Sequence, residues 1–188
     1  MADITLNAML PLGGYTADIG ACSLRERGDL ALVSIATPTT GGEALANSLK
    51  SLWDIDLPDP ATSTVSGDKR LLPMTPDQMM LLFPATAELS ESTVSNALSD
   101  VAYTTLQTDA WVILELYGQG TRDALERICP LDLELGVFPV NACSRTSMDH
   151  LGAVILRTDE DRFLLLSARS SAQSFLHAIE TSCRWTAP

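Results

Sequence analysis

The sequence predicts an α+β protein that contains two related units. Residues 42–57 (GEALANSLKSLWDIDL) and residues 120–133 (GTRDALERICPLDL) are both helix-like segments that end in a hydrophobic-Asp-Leu sequence. Each half then continues to an acidic turn followed by an apolar run, at 77–83 and at 161–167. Helices that cover one face of an antiparallel sheet define the α+β class. We therefore expect two similar β-α-β-β-α units that lie side by side.

The first 27 residues do not fit this repeat. They contain Pro11, Gly13, Gly14 and Gly20 and show weak hydrophobic periodicity. A terminal segment of this kind is ordered only where another part of the chain holds it. We expect residues 1–27 to form an extended N-terminal arm whose removal leaves the core folded.

The first unit is expected over residues 28–106. Leu45, Leu49 and Leu52 recur at helical spacing, and Pro58 closes that segment because proline cannot continue a helix. The predicted elements are, in order, a strand at 30–36, this helix, a strand pair at 64–74, a strand at 79–83, and a helix capped by Ser90 with an apolar stripe at Val94, Ala97, Leu98 and Val101.

The second unit, expected over residues 107–188, repeats this order. Val112, Leu114 and Leu116 lie two residues apart, which is the spacing of one face of a strand. The other predicted elements are a helix capped by Thr121 and ended by Pro130, a strand near 143–147, a hairpin between 153 and 168, and a last helix that starts at Ser170 or Ser171 and carries Ala172, Phe175, Leu176 and Ile179.

The composition limits the classes of partner. The chain has 188 residues and a formal net charge of −12. This charge argues against nucleic-acid binding, because proteins that bind nucleic acids neutralise phosphates with basic patches. The acidic residues are spread along the chain, so we expect a solvated acidic surface, with docking on a basic partner as the alternative.

The compartment is inferred from the N-terminus and the cysteines. The N-terminal sequence lacks the charged start and apolar run of a secretory signal, and no apolar stretch approaches the roughly 20 residues of a membrane span. Cys22, Cys129, Cys143 and Cys183 form no CxxC pair, so neither a zinc site nor a redox motif is indicated. We expect reduced thiols in a cytoplasmic protein.

Few residues could carry catalysis. His150 and His177 are the only histidines, and they lack the HxxxH or HExxH spacing of zinc sites. Cys143 precedes His150 across a predicted turn, so a thiol–imidazole contact is possible, although a buried structural cysteine is expected. Residues 118–120 (GQG) join a strand to a helix, but Asp123 stands where a dinucleotide fingerprint has its third glycine, so we expect a plain turn.

The remaining notable residues point to structure or to partner binding. Asp56 and Asp132 occupy matching places after their helices, which is typical of a turn or cap. Trp53 and Trp185 could be surface anchors, and Trp185, close to the C-terminus, is the better candidate for an interface. The sequence thus offers no catalytic, cofactor-binding or metal-binding residue, which favours a subunit or scaffold over a free-standing enzyme.

The second unit contains four short motifs, which are 118–125 (GQGTRDAL), 129–133 (CPLDL), Phe138-Pro139 and 143–146 (CSRT). In this order the motifs resemble the gamma subunit of heterotetrameric sarcosine oxidase. The resemblance is densest from about Trp111 to Leu176 and is weaker over the first unit.

The resemblance implies a fold related to the folate-binding aminomethyltransferase (T-protein) of glycine cleavage. It also implies a complex with alpha, beta and delta chains, in which FAD, FMN, NAD and tetrahydrofolate are associated with alpha and beta, and zinc with delta. That complex would oxidatively demethylate sarcosine to glycine and pass the one-carbon unit to tetrahydrofolate. The gamma chain would be a non-catalytic subunit that supports the flavin-bearing chains, and we expect Arg145 and Trp185 to contact partners.

Three alternatives stay open from the sequence. The chain could be the small subunit of a related N-methyl amino acid dehydrogenase, such as N-methylglutamate dehydrogenase. It could be a stand-alone folate-binding or aminomethyl-transfer protein, although it is short for the full transferase architecture. A pterin ring would then need a carboxylate, and the candidates are Asp109, Glu115 and Asp132. A scaffold protein of unrelated function is the third alternative.

Overall fold

Eleven strands and four α-helices form within residues 9–86 and 89–186, the part of the chain that the computed structural model describes. The strands are β1 (Thr16–Ile19), β2 (Cys22–Glu26), β3 (Leu30–Ala36), β4 (Thr64–Ser66), β5 (Lys69–Thr75), β6 (Gln78–Pro84), β7 (Tyr103–Leu106), β8 (Trp111–Tyr117), β9 (Cys143–Met148), β10 (Leu151–Asp159) and β11 (Arg162–Ala168). The helices are α1 (Gly42–Trp53), α2 (Glu91–Leu98), α3 (Thr121–Glu126) and α4 (Ala172–Thr186).

The strands form two sheets in which neighbouring strands are antiparallel. The five-stranded sheet has the order β4-β5-β6-β3-β7, and the six-stranded sheet has the order β1-β2-β8-β11-β10-β9. The strands β4 and β7 therefore form the edges of one sheet, and β1 and β9 form the edges of the other.

The two units have the same order of elements. The succession β3-α1-β4-β5-β6-α2 in the first half is matched by β8-α3-β9-β10-β11-α4 in the second. The α+β class and the internal repeat are therefore confirmed. Each unit has the order β-α-β-β-β-α, so the predicted formula β-α-β-β-α counts one strand fewer than the structure, although each of the strands in these units is expected individually.

The predicted N-terminal arm is wrong for the residues that the structure describes. β2 pairs with the central strand β8, and β1 extends the same sheet. Cys22 and Leu24 are buried in the core of the second unit, and the Glu26 carboxylate accepts the backbone N–H groups of Leu12 and Gly14 at 2.9 and 2.7 Å. Residues 16–26 are therefore part of the second unit's sheet and not an appendage.

The two sheets pack face to face, and the helices cover their outer faces. In β3, Leu30 and Leu32 enter the core between the sheets, whereas Ala31, Val33 and Ile35 pack under the helices of the first unit. This division follows from the alternation of side chains along a strand. Because both faces of the central strands are buried, their sequences are mostly apolar, with Ser34 of β3 and Glu115 of β8 as exceptions.

The helix α2 begins at the cap that the sequence predicts. The Ser90 hydroxyl accepts the Thr93 backbone N–H, and the Thr93 hydroxyl accepts the Ser90 backbone N–H at 2.8 Å. This reciprocal arrangement satisfies two N–H groups that the helix leaves without partners. Val94 and Leu98 then place the apolar face of α2 in the core.

Arg70 of β5 joins the two units at one edge of the sandwich. Its guanidinium donates to the Ser63 hydroxyl at 2.9 Å and to the Asn141 side-chain carbonyl at 2.7 Å. Next to it, Thr62 and Ala142 form a β-bridge, so backbone hydrogen bonds also cross between the units. This contact fixes the spacing of the two sheets beside β9.

Candidate functional site: the inter-sheet cleft and exposed apolar surfaces

Arg145 lies on the edge strand β9 and faces the gap between the two sheets. Cys143 is two residues earlier on the same strand and lies in the core between the sheets. Side chains two residues apart share a face of a strand, so Arg145 has the same direction. Arg145 is exposed, and it forms no ion pair with another residue of the described ranges.

Two cavities adjoin beside Arg145, and we call them together the inter-sheet cleft. The larger cavity has a volume of about 440 Å³ and the smaller one about 160 Å³. Met74 and Arg145 line both. The larger cavity is also lined by Pro58, Pro60, Ala61, Pro73, Thr75, Pro76, Cys143 and Ser144, and the smaller by Ser34, Gln78, Met80, Gln107 and Trp111.

The smaller cavity has an ordered polar lining. Trp111 Nε1 donates to Gln107 Oε1 at 3.3 Å, and Gln78 Nε2 donates to Ser34 Oγ at 2.9 Å. An indole nitrogen can only donate, so the Gln107 carbonyl must face Trp111 and the Gln107 amide NH₂ faces away from it. The Ser34 hydroxyl accepts from Gln78 and keeps its own proton to donate. The lining therefore offers the amide NH₂ of Gln107 and the hydroxyl proton of Ser34 as donors, beside one acceptor, the side-chain carbonyl of Gln78.

Trp185 stands on the outer side of the second unit, near the end of α4. Its residue surface is 72% exposed, and the Arg127 guanidinium lies 6.0 Å from the centre of its ring. His177 and Asp149 line the same shallow depression of about 220 Å³. Trp185 therefore exposes a large aromatic surface to solvent, and one cationic side chain, that of Arg127, lies over its ring.

The loop between α3 and β9 is held by a buried arginine. Arg157 of β10 is only 2% exposed, and its guanidinium donates to the carbonyl oxygens of Leu133 at 3.0 Å, Phe138 at 2.7 Å and Glu160 at 2.6 Å. Arg157 therefore fixes the loop to the sheet while the loop presents apolar groups outward. These exposed apolar residues are Leu135, Val137 and Val140.

Glu115 of β8 is the centre of an ion-pair network. Its residue surface is 3% exposed, and it pairs with Arg25, with Arg162 at 3.0 Å and with Arg27 at 3.4 Å. The Tyr117 ring lies between Arg25 and Arg162, 5.7 and 4.6 Å from their guanidinium carbons. Burial opposes ionisation, but the hydrogen bonds from Arg25 and Arg162 outweigh it and lower the pKa of Glu115. This carboxylate is ionised and fully engaged.

The three carboxylates considered for a pterin ring do not meet in one site. Glu115 is occupied by arginines, and the Asp109 side chain is 97% exposed. Asp132 Oδ1 accepts the Glu134 backbone N–H at 2.9 Å, which is the arrangement of a turn. The interpretation of Asp132 as a turn residue is confirmed by this bond.

Cys143 and His150 are not brought together. Cys143 begins β9, whereas His150 is exposed in the turn after that strand, which separates them by roughly 20 Å at the usual rise of a strand. Burial raises the pKa of Cys143 to about 12, while nearby Arg70 acts in the opposite direction. The thiol is therefore protonated at neutral pH, in agreement with a buried structural cysteine.

Residues 118–120 form a plain turn, as predicted. Gly118 has a φ of +115°, and a Cβ placed there would lie 2.4 Å from the carbonyl oxygen of Ala21. The Gly120 backbone N–H donates to that same oxygen at 3.2 Å. The turn is thus packed against the β1–β2 hairpin, which is why glycine is needed.

Within residues 9–86 and 89–186, no group of His, Cys, Asp and Glu side chains is placed to hold a metal ion. No helix of these ranges combines the length and apolar character needed to cross a membrane.

Arg145 is expected from the sequence, whereas the residues around it in the cleft are not. Ser34, Gln78 and the pair Gln107 and Trp111 come from three different places in the chain and converge only when β3, β6 and β8 have formed. The alternation along each strand could have assigned a face to each residue. It could not have shown that those faces meet.

Comparisons with known proteins identify the family. The sequence pattern of the sarcosine oxidase gamma subunit family matches residues 39–184. A sarcosine oxidase subunit gamma from Corynebacterium sp. (strain P-1) is 30% identical to this chain over 169 residues, which cover 87% of this chain and 80% of that protein.

Two solved structures share the fold. A chain of the heterotetrameric sarcosine oxidase from Corynebacterium sp. U-96 matches with a TM-score of 0.79 at 22% identity, covering 92% of this chain and 88% of that one. Aminomethyltransferase T of the glycine cleavage system from Bartonella henselae matches with a TM-score of 0.66 at 12% identity, covering 92% of this chain and 56% of that one. The expected relationship to the aminomethyltransferase fold is therefore confirmed. By the family match over most of its length, this chain belongs to the sarcosine oxidase gamma subunit family.

Proposed function

We propose that this chain is a non-catalytic subunit of a heterotetrameric sarcosine oxidase complex and supports the assembly of the flavin-bearing large subunits. The observation that carries the proposal is the family match over residues 39–184. The complex would oxidise sarcosine to glycine and pass the one-carbon unit to tetrahydrofolate. The partners are alpha, beta and delta subunits, with FAD, FMN, NAD and tetrahydrofolate at the alpha and beta chains and zinc at the delta chain.

Trp185 is proposed as a contact with a partner subunit. It is the exposed aromatic residue at the end of α4 and stands above Arg127. Tryptophan and arginine are enriched at the energetically dominant points of interfaces. The burial of this ring by a partner would remove a large apolar surface from water.

Arg145 is proposed as a second contact, at the edge strand β9. An edge strand leaves backbone groups of one side without partners in the sheet, and such edges are usually covered. A partner that covers β9 would lie across the opening of the inter-sheet cleft. In that arrangement the backbone edge of β9 pairs with the partner, and the Arg145 side chain lies at the opening of the cleft that the partner covers.

The proposed compartment is the cytoplasm. All four cysteines are free and buried, which is typical of proteins from a reducing environment. The net charge of −12 gives no support to nucleic acid as a partner.

Co-expression with the alpha, beta and delta chains of a heterotetrameric sarcosine oxidase tests the proposal. We expect a stoichiometric yellow complex that oxidises sarcosine. This chain, once it is separated from the complex, is expected to be colourless. A complex that oxidises a different N-methyl amino acid in place of sarcosine would assign the chain to a related dehydrogenase. A chain that elutes alone and binds tetrahydrofolate would contradict the proposal.

Substitution of Trp185 tests the proposed contact. Trp185→Ala is expected to weaken assembly by tenfold or more, because hot-spot residues cost about 2 kcal/mol or more when truncated. Leu52→Ala is the matched control, since Leu52 is also an exposed apolar residue on a helix but lies in the first unit. Equal affinities of the two variants in a titration against the large subunits would exclude Trp185 from the interface.

A further inference from the structure

The smaller cavity of the inter-sheet cleft combines the positive charge of Arg145 with hydrogen-bond donors. Arg145 supplies a guanidinium, Gln107 an amide NH₂ and Ser34 a hydroxyl proton. Among the described residues that line either cavity there is no aspartate or glutamate. The chain as a whole has a net charge of −12, whereas the cleft carries the positive charge of Arg145.

The chemistry of these donors suits an oxyanion, and the single arginine of the lining favours one with a single negative charge, such as a carboxylate. A guanidinium forms two parallel N–H···O bonds with a carboxylate, and charge-assisted bonds of this kind are stronger than bonds between neutral groups. The Gln107 amide adds a donor whose orientation is fixed by the indole of Trp111. A metal cation would find no carboxylate or imidazole ligand here, since the lining combines arginine, amide, hydroxyl and thioether groups.

The shape of the cleft limits the rest of the ligand. The smaller cavity, about 160 Å³, has the volume of about five water molecules in the liquid, which suits a carboxylate on a short stem. The larger cavity, about 440 Å³, shares Arg145 and Met74 with the smaller one and is lined by four prolines. A ligand that reaches from one cavity into the other must therefore be polar at one end and apolar at the other.

We propose that the inter-sheet cleft binds a small free monocarboxylate, with the carboxylate at Arg145 and Gln107 and the apolar body in the proline-lined cavity. This site is additional to the proposed function, which requires no ligand in this chain. A partner that covers β9 would close the opening over the bound molecule.

Titration of the full chain with acetate, butyrate and hexanoate tests the site. The chain has three tryptophans, and the indole N–H signal of Trp111, assigned with Trp111→Phe, reports on Gln107. At constant ionic strength, with sodium chloride as the control salt, we expect this signal to shift with all three acids. Affinity is expected to rise up to about fourfold for each added CH₂ group that enters the apolar cavity.

Variants test whether binding depends on Arg145 itself or on any positive charge of the surface. Arg145→Gln is expected to lower the affinity for butyrate at least tenfold, and Arg145→Lys to give an intermediate loss because an ammonium lacks the planar fork. Arg127→Gln removes the same charge from the surface beside Trp185 and is expected to leave binding unchanged. An unchanged indole signal of Trp53, which packs in the core of the first unit, shows that each variant retains the fold.

The outcomes also distinguish this site from a partner contact. A Trp111 signal that moves with no acid, or moves equally with chloride, overturns the proposal. If the acids have no effect while Arg145→Gln impairs assembly with the large subunits, Arg145 receives a carboxylate of a partner and the free-ligand site is wrong. Binding of the acids by a chain that does not assemble would establish the site and contradict the proposed function instead.

Discussion

Glu115 is a charged residue in the middle of a buried strand, and its surroundings make it a structural group. Three arginines surround its carboxylate, two of them with side chains 39% and 45% exposed. A buried carboxylate is tolerated where it is paired and hydrogen-bonded, whereas the loss of one partner leaves uncompensated charge. The network therefore ties β2, β8 and β11 together instead of binding a ligand.

The pH dependence of stability follows from the lowered pKa of Glu115. Because the folded-state pKa lies below the unfolded value of about 4.3, Glu115 contributes stability above that pH, and the contribution is lost as the pH falls through the folded-state pKa. Glu115→Gln is expected to cost about 3 kcal/mol at pH 7. Urea unfolding should show the variant and the native chain converging at acid pH, and a difference that grows toward acid pH would contradict this account.

Arg157 is the second residue whose burial has an energetic consequence. Arg157→Met keeps most of the volume but leaves the carbonyl oxygens of Leu133 and Phe138 without their donor. Each buried polar group that loses its partner costs about 1–3 kcal/mol, so we expect a loss of about 3 kcal/mol in chemical denaturation. Arg127→Met, at an exposed arginine, is the control and should change stability by less than about 0.5 kcal/mol.

At the scale of elements, the β1–β2 hairpin shows how tertiary pairing determines the role of a short segment. The hairpin hydrogen-bonds to β8 through residues 23–26, and its turn carries the Ala21 carbonyl that receives the Gly120 N–H. Neither contact is visible in local periodicity, because the two strands have only four and five residues. The hairpin is thus an outer part of the second unit's sheet that also shields the start of α3.

The deletion of residues 1–27 tests this assignment. It would expose one side of β8 and remove Cys22 and Leu24 from the core, so we expect the chain to lose its cooperative thermal transition. Leu24→Ala is a milder form of the same test and should cost about 2–5 kcal/mol, the range for a buried leucine. A truncated chain that unfolds with an unchanged midpoint would show that these residues are a separate arm.

At the scale of the whole molecule, the core between the sheets makes the two units interdependent. Residues from both sheets contribute to it, among them Leu32 and Leu82 of the first unit and Leu156 and Leu166 of the second. An isolated unit would expose this whole face to water. We therefore expect the units to unfold together, although the sequence repeat alone is equally consistent with two independent domains.

Cooperativity of the two units can be measured with a substitution in the shared core. Leu156→Ala is expected to cost about 2–5 kcal/mol and to lower the stability of both units in one transition. Trp53 packs in the core of the first unit and Trp111 against the core between the sheets, so variants that retain one of these tryptophans report on each region. Transition midpoints that differ between the two probes would show independent unfolding.

The sequence by itself determined the class of the fold, the internal repeat and the family. Local periodicity reveals which segments are helices and strands, because a helix or a strand imposes its own spacing on apolar residues. The leucine spacing of α1, the cap of α2 at Ser90 and the stripe of α4 are all of this kind, and the structure contains each of them.

Only the tertiary structure decided how these elements meet. The pairing of β2 with β8, the network around Glu115 and the cleft beside Arg145 join residues that are far apart in the chain. Their energies depend on distances between side chains, and no local pattern encodes those distances. The alternation of apolar residues assigns an inner and an outer face to each strand. Only the packing of the two sheets brings the polar side chains of these inner faces together in a cavity beside Arg145.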